Sequence, residues 1–217
     1  MKVINDFINI VCLGKFNPSI LNKEFVKDNK IYDAKEEKSK PIFMPVMTNI
    51  GYDNIDFFID LERFQIMQKV EGLEFTNKVI EIMFNYLKTL KYTPINIIGI
   101  NLNSKIFSEN NKRLIDNLND EKIIYDIFKT KEYVFTYKIR RTKEEREYLN
   151  WTIESLNISK ENLVKRLFIT KQPDNYEVNF NMEIINIKDF KEIHYFLSSF
   201  EAIKGEYLKM IFNIFGE

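Results

Sequence analysis

Apolar and polar positions alternate along most of the chain, and the period of the alternation predicts the elements. From 3 to 13, apolar residues occupy both parities, Val3, Phe7, Val11 and Leu13 against Ile4, Ile8, Ile10 and Cys12. A strand apolar on both faces belongs in the middle of a sheet. Gly14 closes it, and Asn17-Pro18 offers an N-cap followed by proline at the first helical position, so a short helix is expected to about residue 27. The charged stretch 28–40 reads as a loop, and 42–49 as a strand. After turn chemistry at 51–54, Ile55, Phe57, Ile59 and Leu61 alternate with Asp56, Phe58, Asp60 and Glu62. This predicts a half-buried strand continuing through a bend at Arg63 to Val70. Phe75, Val79, Ile82, Met83, Tyr86 and Leu90 then recur at helical spacing over 74–91, and Pro94 bars continuation into the strand at 95–102.

The second half reads similarly. Two short helices are expected in 109–129, with Asp120 a candidate cap. A clean alternation over 132–140 sets Tyr133, Phe135, Tyr137 and Ile139 against Val134, Thr136, Lys138 and Arg140. Thr142 and Glu145 form a capping box, predicting a helix over 143–156. Strands at 163–171 and 176–187 flank the loop Gln172-Pro173-Asp174-Asn175. The last segment is an amphipathic helix from Phe190, with Ile193, Leu197, Phe200, Ile203, Tyr207, Met210 and Ile214 as its stripe and Gly205 as a place for a kink or a close approach.

The fold class expected is α+β, a largely antiparallel sheet of about seven strands with two long amphipathic helices on one face. One domain spans 1–217. Asp53-Asn54 and Asp174-Asn175 each open an alternating strand leading to a helix. Two related halves, 1–106 and 107–217, are one reading of this echo; the recurrence of hairpin-then-helix order is the other.

Composition narrows the function classes. Lys+Arg and Asp+Glu both number 32, so the global basic excess typical of nucleic-acid binders is missing. Near-neutral charge does little to hold molecules apart, which favours self-association or a protein partner. Cys12 is the single cysteine among 217 residues, so no internal disulfide forms and a reducing compartment fits. Asn5 and Asp6 interrupt a signal-peptide core, and no run of about 18 apolar residues occurs. A cytoplasmic protein with no membrane contact is expected, and its richness in Ile, Lys and Asn suggests an AT-rich prokaryotic genome.

Candidate chemistry is sparse. His194 is the lone histidine, and Ser198 four residues on lacks the third group a triad needs. One His and one Cys do not make a zinc site, and no cofactor is expected. Asp60 and Glu62, two apart on one predicted strand, are the candidate carboxylates for Mg²⁺, although polar alternation on a solvated face explains them equally. Gly14-Lys15 before the predicted helix is the nearest approach to an anion-binding turn, and capping accounts for it. Lys138, Arg140, Arg141 and Lys143 form the main basic patch, beside Tyr133, Phe135 and Tyr137. Charge and stacking could there serve nucleic acid, but rings and charges fall on opposite parities and Glu144, Glu145 and Glu147 offset the charge. At the C-terminus, Tyr207, Met210, Ile211, Ile214 and Phe215 make the helix end apolar nearly all round, so it is buried in the domain or covered by a partner.

Three segments, Gly14–Ile20, Asp60–Phe64 and Thr93–Asn101, together resemble an uncharacterised, sporadically distributed prokaryotic protein family. The likeness covers about the first hundred residues, and the family carries no assigned activity. Its scattered distribution implies mobile-element or defence contexts, and no catalytic residue carries over. The function expected is a non-catalytic binding protein acting through a protein partner, in an antiviral defence or toxin–antitoxin module. The alternative is a nucleic-acid-binding or Mg²⁺-dependent processing protein.

Overall fold

The computed structural model describes residues 2–33, 40–107, 120–122, 133–141, 147–157, 162–172 and 174–216; at 4–6, 133–141 and 147–157 the description is of the backbone. Ten strands form one antiparallel sheet: β1 Lys2–Gly14, β2 Ile42–Met44, β3 Met47–Tyr52, β4 Ile55–Asp60, β5 Arg63–Val70, β6 Ile95–Phe107, β7 Tyr133–Arg141, β8 Glu147–Asn157, β9 Leu163–Lys171 and β10 Tyr176–Ile185. Among the described residues the helical elements are a 3-10 turn Pro18–Ile20, α1 Lys23–Asp28, α2 Lys78–Thr89, α3 Phe190–Ser198 and α4 Phe200–Phe215.

The strands lie in the order β2-β3-β4-β5-β1-β6-β10-β9-β8-β7. Each half is a long strand, then a four-stranded meander whose last strand returns to pair with the long one, then helix. The long strands β1 and β6 pair at the centre, with Asn9 opposite Asn101. A two-fold axis through that pair exchanges the halves in register. It takes Met67, which pairs with Asn9, to Asn181, which pairs with Asn101. It takes Gln65 and Phe58 to Asn179 and Phe168, which occupy the same rungs on the other side.

One face of the sheet is covered by helices. Strand alternation sends Ile8, Ile10 and Cys12 of β1, Phe64 and Ile66 of β5, and Ile98, Ile100 and Leu102 of β6 to that side, all buried. Phe64 stacks on Tyr86 of α2 at 3.7 Å between centroids. Tyr207 of α4 stacks over Phe180 at 6.2 Å and donates its hydroxyl to Ser104 Oγ. Burial of this apolar layer is the main stabilising term.

The expected α+β class, with a large antiparallel sheet and helices against it, describes the molecule; the element count does not. The helix expected at 143–156 is replaced by β8. Tyr148, Trp151, Thr152 and Ile153 are strong strand formers, and β8 is paired on both sides, Trp151 opposite Tyr137 of β7 and Ile169 of β9. The capping residues Thr142 and Glu145 lie outside the described residues, as do most of the helices expected in 109–129; at Asp120, Oδ1 accepts from the Lys122 amide at 2.8 Å. The strand expected over 42–49 is divided by a turn at Pro45-Val46. The strand expected to bend at Arg63 is a hairpin, β4 and β5, with Leu61 turned out to solvent. The C-terminal helix breaks at Ser199 rather than at Gly205. The Ser199 amide closes α3 on Tyr195 and Phe196 carbonyls, and the break lets Phe196 and Leu197 of α3 and Phe200 and Ile203 of α4 all reach the core.

Candidate functional site: the sheet face opposite the helices

The alternation that buries Ile8, Ile10 and Cys12 turns Phe7, Asn9, Val11 and Leu13 the other way. Among the described residues no helix packs on that face. Its middle is a row of amides. Asn9 of β1, Asn101 of β6 and Asn181 of β10 pair successively, and the next rung sets Asn103 opposite Asn179. Asn181 Nδ2 donates to Asn101 Oδ1 at 2.9 Å, and Asn179 Nδ2 donates to Asn103 Oδ1 at 2.6 Å. Asn9 Oδ1 and Asn181 Oδ1 are buried with no hydrogen-bond donor among the described residues.

Aromatic rings flank the amides. Phe58 lies opposite Gln65 on one side, and Phe168 opposite Asn179 on the other. Phe168 is 37% exposed and, with Phe7, Asn103, Lys105, Thr170, Glu177 and Asn179, borders a shallow hollow of about 190 Å³. The Arg63 guanidinium sits 4.6 Å from the Phe58 ring centroid, a cation–π contact.

Three cations on this face meet carboxylates. Arg63 Nε lies 3.6 Å from Asp60, Lys105 Nζ lies 3.4 Å from Glu177, and Arg166 meets Glu183. Gly99 leaves the room that Glu183 fills, since a Cβ there would stand 3.2 Å from the Glu183 Cβ. The centre is therefore amide-rich and partly aromatic, with Asp56 and the Arg166–Glu183 pair at the adjoining positions.

The residues singled out from sequence fall elsewhere. Asp60 ends β4, and its Oδ1 accepts from the Glu62 and Arg63 amides at 2.8 and 2.7 Å, so the carboxylate caps the hairpin turn that carries Glu62. Lys138, Arg140 and Arg141 lie on β7 at the sheet edge, their backbones opposite Asn150, Tyr148 and Glu147; Lys143 is outside the described residues. Tyr207, Met210, Ile211, Ile214 and Phe215 are all buried against the sheet, while Phe212 is the apolar side chain that the same helix turns outward, 56% exposed. His194 is exposed, edge-on to Phe84 at 4.9 Å, and Ser198 Oγ donates to the His194 backbone carbonyl. At the Gly14-Lys15 turn both amides are already spent, on the Glu62 and Pro94 carbonyls.

One charged pair with a buried cation sits on the helix side. Lys165 Nζ, with a side chain only 5% exposed, meets Glu206 of α4 at 2.6 Å and lines a groove between β9, β10 and the C-terminal helices. The two-fold places Lys165 where the first half has the buried Ile55, so the ion pair fills a position that is otherwise apolar.

The amide row was not singled out by sequence reasoning. Its signal is present, because Asn101/Asn103 and Asn179/Asn181 are alternate asparagines inside strands, where asparagine is disfavoured. Comparison of the sequence with protein-family models and with curated proteins finds no match.

Proposed function

We propose that this chain is a non-catalytic binding protein and that the sheet face opposite the helices is its recognition surface for a protein partner, within a defence or toxin–antitoxin module. The observation that carries the reading is the row of amides Asn9, Asn101 and Asn181 with the Phe58 and Phe168 rings on either side of it. Protein interfaces are enriched in aromatics, and asparagine is disfavoured inside strands. Arg63, Lys105 and Arg166 are each engaged by a carboxylate, which weakens their pull on a polyanion. Co-expression with the products of flanking genes, followed by affinity purification, tests the proposal. The wild-type chain is expected to retain a partner that Phe168→Glu loses and Phe212→Glu keeps. A partner retained equally by Phe168→Glu removes the face from the reading.

The amides and rings favour a second reading, a nucleic-acid binder. Open antiparallel sheets can lie in a duplex groove, and groove binders use Asn and Gln to read base edges and apolar side chains as wedges. Asn9, Asn101, Phe58 and Phe168 supply those residue types; the neutral charge balance weighs against it. A gel shift with salt titration separates the readings. A shift that weakens steeply with salt and is lost in Asn101→Asp favours the duplex; no shift at low salt eliminates it.

A further inference from the structure

We propose that the groove between β9, β10 and the C-terminal helices binds a small zwitterion, a free α-amino acid with a large apolar side chain. The groove lies on the helix side of the sheet, so the inference is independent of the reading of the opposite face. Among the described residues Lys165 is the one charged residue that is buried. The two-fold supplies an internal control, because Ile55 holds the corresponding position in the first half and is fully buried. Packing at that position needs no charge, and a buried ion pair is often no more stabilising than apolar side chains of similar volume. Stability therefore does not account for the lysine, and the lysine coincides with a groove of about 540 Å³, within the range of small-molecule sites.

The lining selects the ligand. Leu163, Met182, Ile184, Phe196 and Ile203 supply apolar walls. Lys165 Nζ donates to Glu206 Oε2 at 2.6 Å, and both residues border the groove. An ammonium carries three N–H donors, of which Glu206 takes one, and a carboxylate offers a second oxygen. The Glu206 side chain is 39% exposed, so its carboxylate is within reach of a molecule in the groove. A plain anion would be repelled by Glu206 and a plain cation by Lys165. A head with both charges side by side matches the pair. Its carboxylate accepts from Lys165, its ammonium donates to Glu206, and its apolar side chain lies along the walls.

Isothermal titration of the full chain with L-phenylalanine and L-leucine tests this, with circular dichroism melting to confirm that each variant is folded. The wild type is expected to bind both. It is expected to bind N-acetyl-L-phenylalanine, which lacks the ammonium, and L-phenylalaninamide, which lacks the carboxylate, about tenfold or more weakly. The double variant Lys165→Met, Glu206→Leu restores the apolar character of the first half. It is expected to melt no lower than the wild type and to lose about tenfold or more in affinity for L-phenylalanine. Phe212→Arg, on the outward side of α4, is expected to bind as the wild type does. No binding of either amino acid up to about 10 mM overturns the inference and leaves the ion pair a structural one. Equal affinity for L-phenylalanine and its two capped forms overturns it using the wild type alone, whether or not the double variant folds. Undiminished binding by a folded double variant also overturns it and moves the ligand elsewhere. None of these outcomes touches capture of a protein by the opposite face.

Discussion

Phe58 and Phe168 stand at corresponding places in the two halves of the sheet, each opposite an amide, Gln65 for the first and Asn179 for the second. Five strand spacings separate β4 from β9 in the sheet order, roughly 24 Å. Two rings at that separation, with Asn9 and Asn101 midway, give the face two anchors and a polar centre. Anchors of this kind dominate interface energetics, while the residues between them chiefly supply complementarity.

Adjacent residues on β9 test which side of the sheet is core. Leu167 is fully buried and Phe168 is 37% exposed. Leu167→Ala is expected to cost roughly 2–5 kcal/mol through lost burial and a residual cavity. Phe168→Ala removes a larger side chain but is expected to cost about 1 kcal/mol or less, because the ring keeps much of its contact with water. Urea unfolding of the two variants checks this. Comparable losses would mean that the outward face is covered by something that buries Phe168 as deeply as Leu167.

The amide rung at Asn103 and Asn179 gives a coupling prediction. Their side chains share a hydrogen bond of 2.6 Å that is partly shielded from water. A double-mutant cycle with Asn103→Ala and Asn179→Ala is expected to show a coupling of about 0.5–1.5 kcal/mol. Zero coupling would mean that the two amides bond to solvent instead and that the row is not preorganised.

The elements legible in the sequence were those whose burial is set by their own period. The central strand β1 was readable because both its parities are apolar, and α2 because Val79, Ile82, Met83 and Tyr86 keep helical spacing. What decides β8 lies elsewhere in the chain, in the pairing of Trp151 with Tyr137 and Ile169, and a local capping signal therefore misled. The symmetry was hidden for a related reason. The turn at Asp174-Asn175 corresponds to that at Leu61-Glu62, between β4 and β5, and not to Asp53-Asn54. The correspondence lies in strand register, which side chains as different as Met67 and Asn181 do not announce. The amide row needed the fold, since only the sheet brings Asn9 beside Asn101 and Asn181.

Two glycines are expected to respond to alanine with opposite signs. A Cβ on Gly14 would stand 2.1 Å from the Pro94 carbonyl oxygen, where the Lys15 amide also bonds at 3.0 Å. Backbone on both sides leaves nothing soft to yield, so Gly14→Ala is expected to destabilise by about 1–3 kcal/mol, as overpacking does. Gly205 lies inside α4 with nothing within 4 Å of its would-be Cβ. Gly205→Ala is expected to stabilise by about 0.5–1 kcal/mol, because the unfolded chain loses freedom and the helix loses its weakest residue. Thermal melts of both variants check the pair, and a destabilised Gly205→Ala would show that this side of α4 is in contact with something.

Two buried acids make the fold sensitive to alkali. Burial pushes the Cys12 thiol well above its ordinary value of 9.0, and its Sγ donates to Met83 Sδ at 3.7 Å. Burial chiefly, and the nearby thiol to a lesser degree, push the Tyr86 phenol above its ordinary 10.0. The unfolded chain therefore releases both protons at a pH where the folded chain still holds them. The raised folded values mean that the stabilisation is complete below pH 9.0 and falls away above it, first through Cys12 and then through Tyr86. Each group contributes a slope of about 1.4 kcal/mol per pH unit once its unfolded form is ionised. Urea midpoints are expected to be flat from about pH 7 to 8 and to fall between about pH 9 and 10.5. Cys12→Ala should lower stability at neutral pH through its cavity yet make the alkaline fall shallower. Tyr86→Phe should also make the fall shallower. It is expected to raise neutral stability by about 1–3 kcal/mol as well, because the Tyr86 hydroxyl is buried with no hydrogen-bond partner among the described residues. An alkaline slope unchanged in both variants would mean that these protons are not the ones released on unfolding.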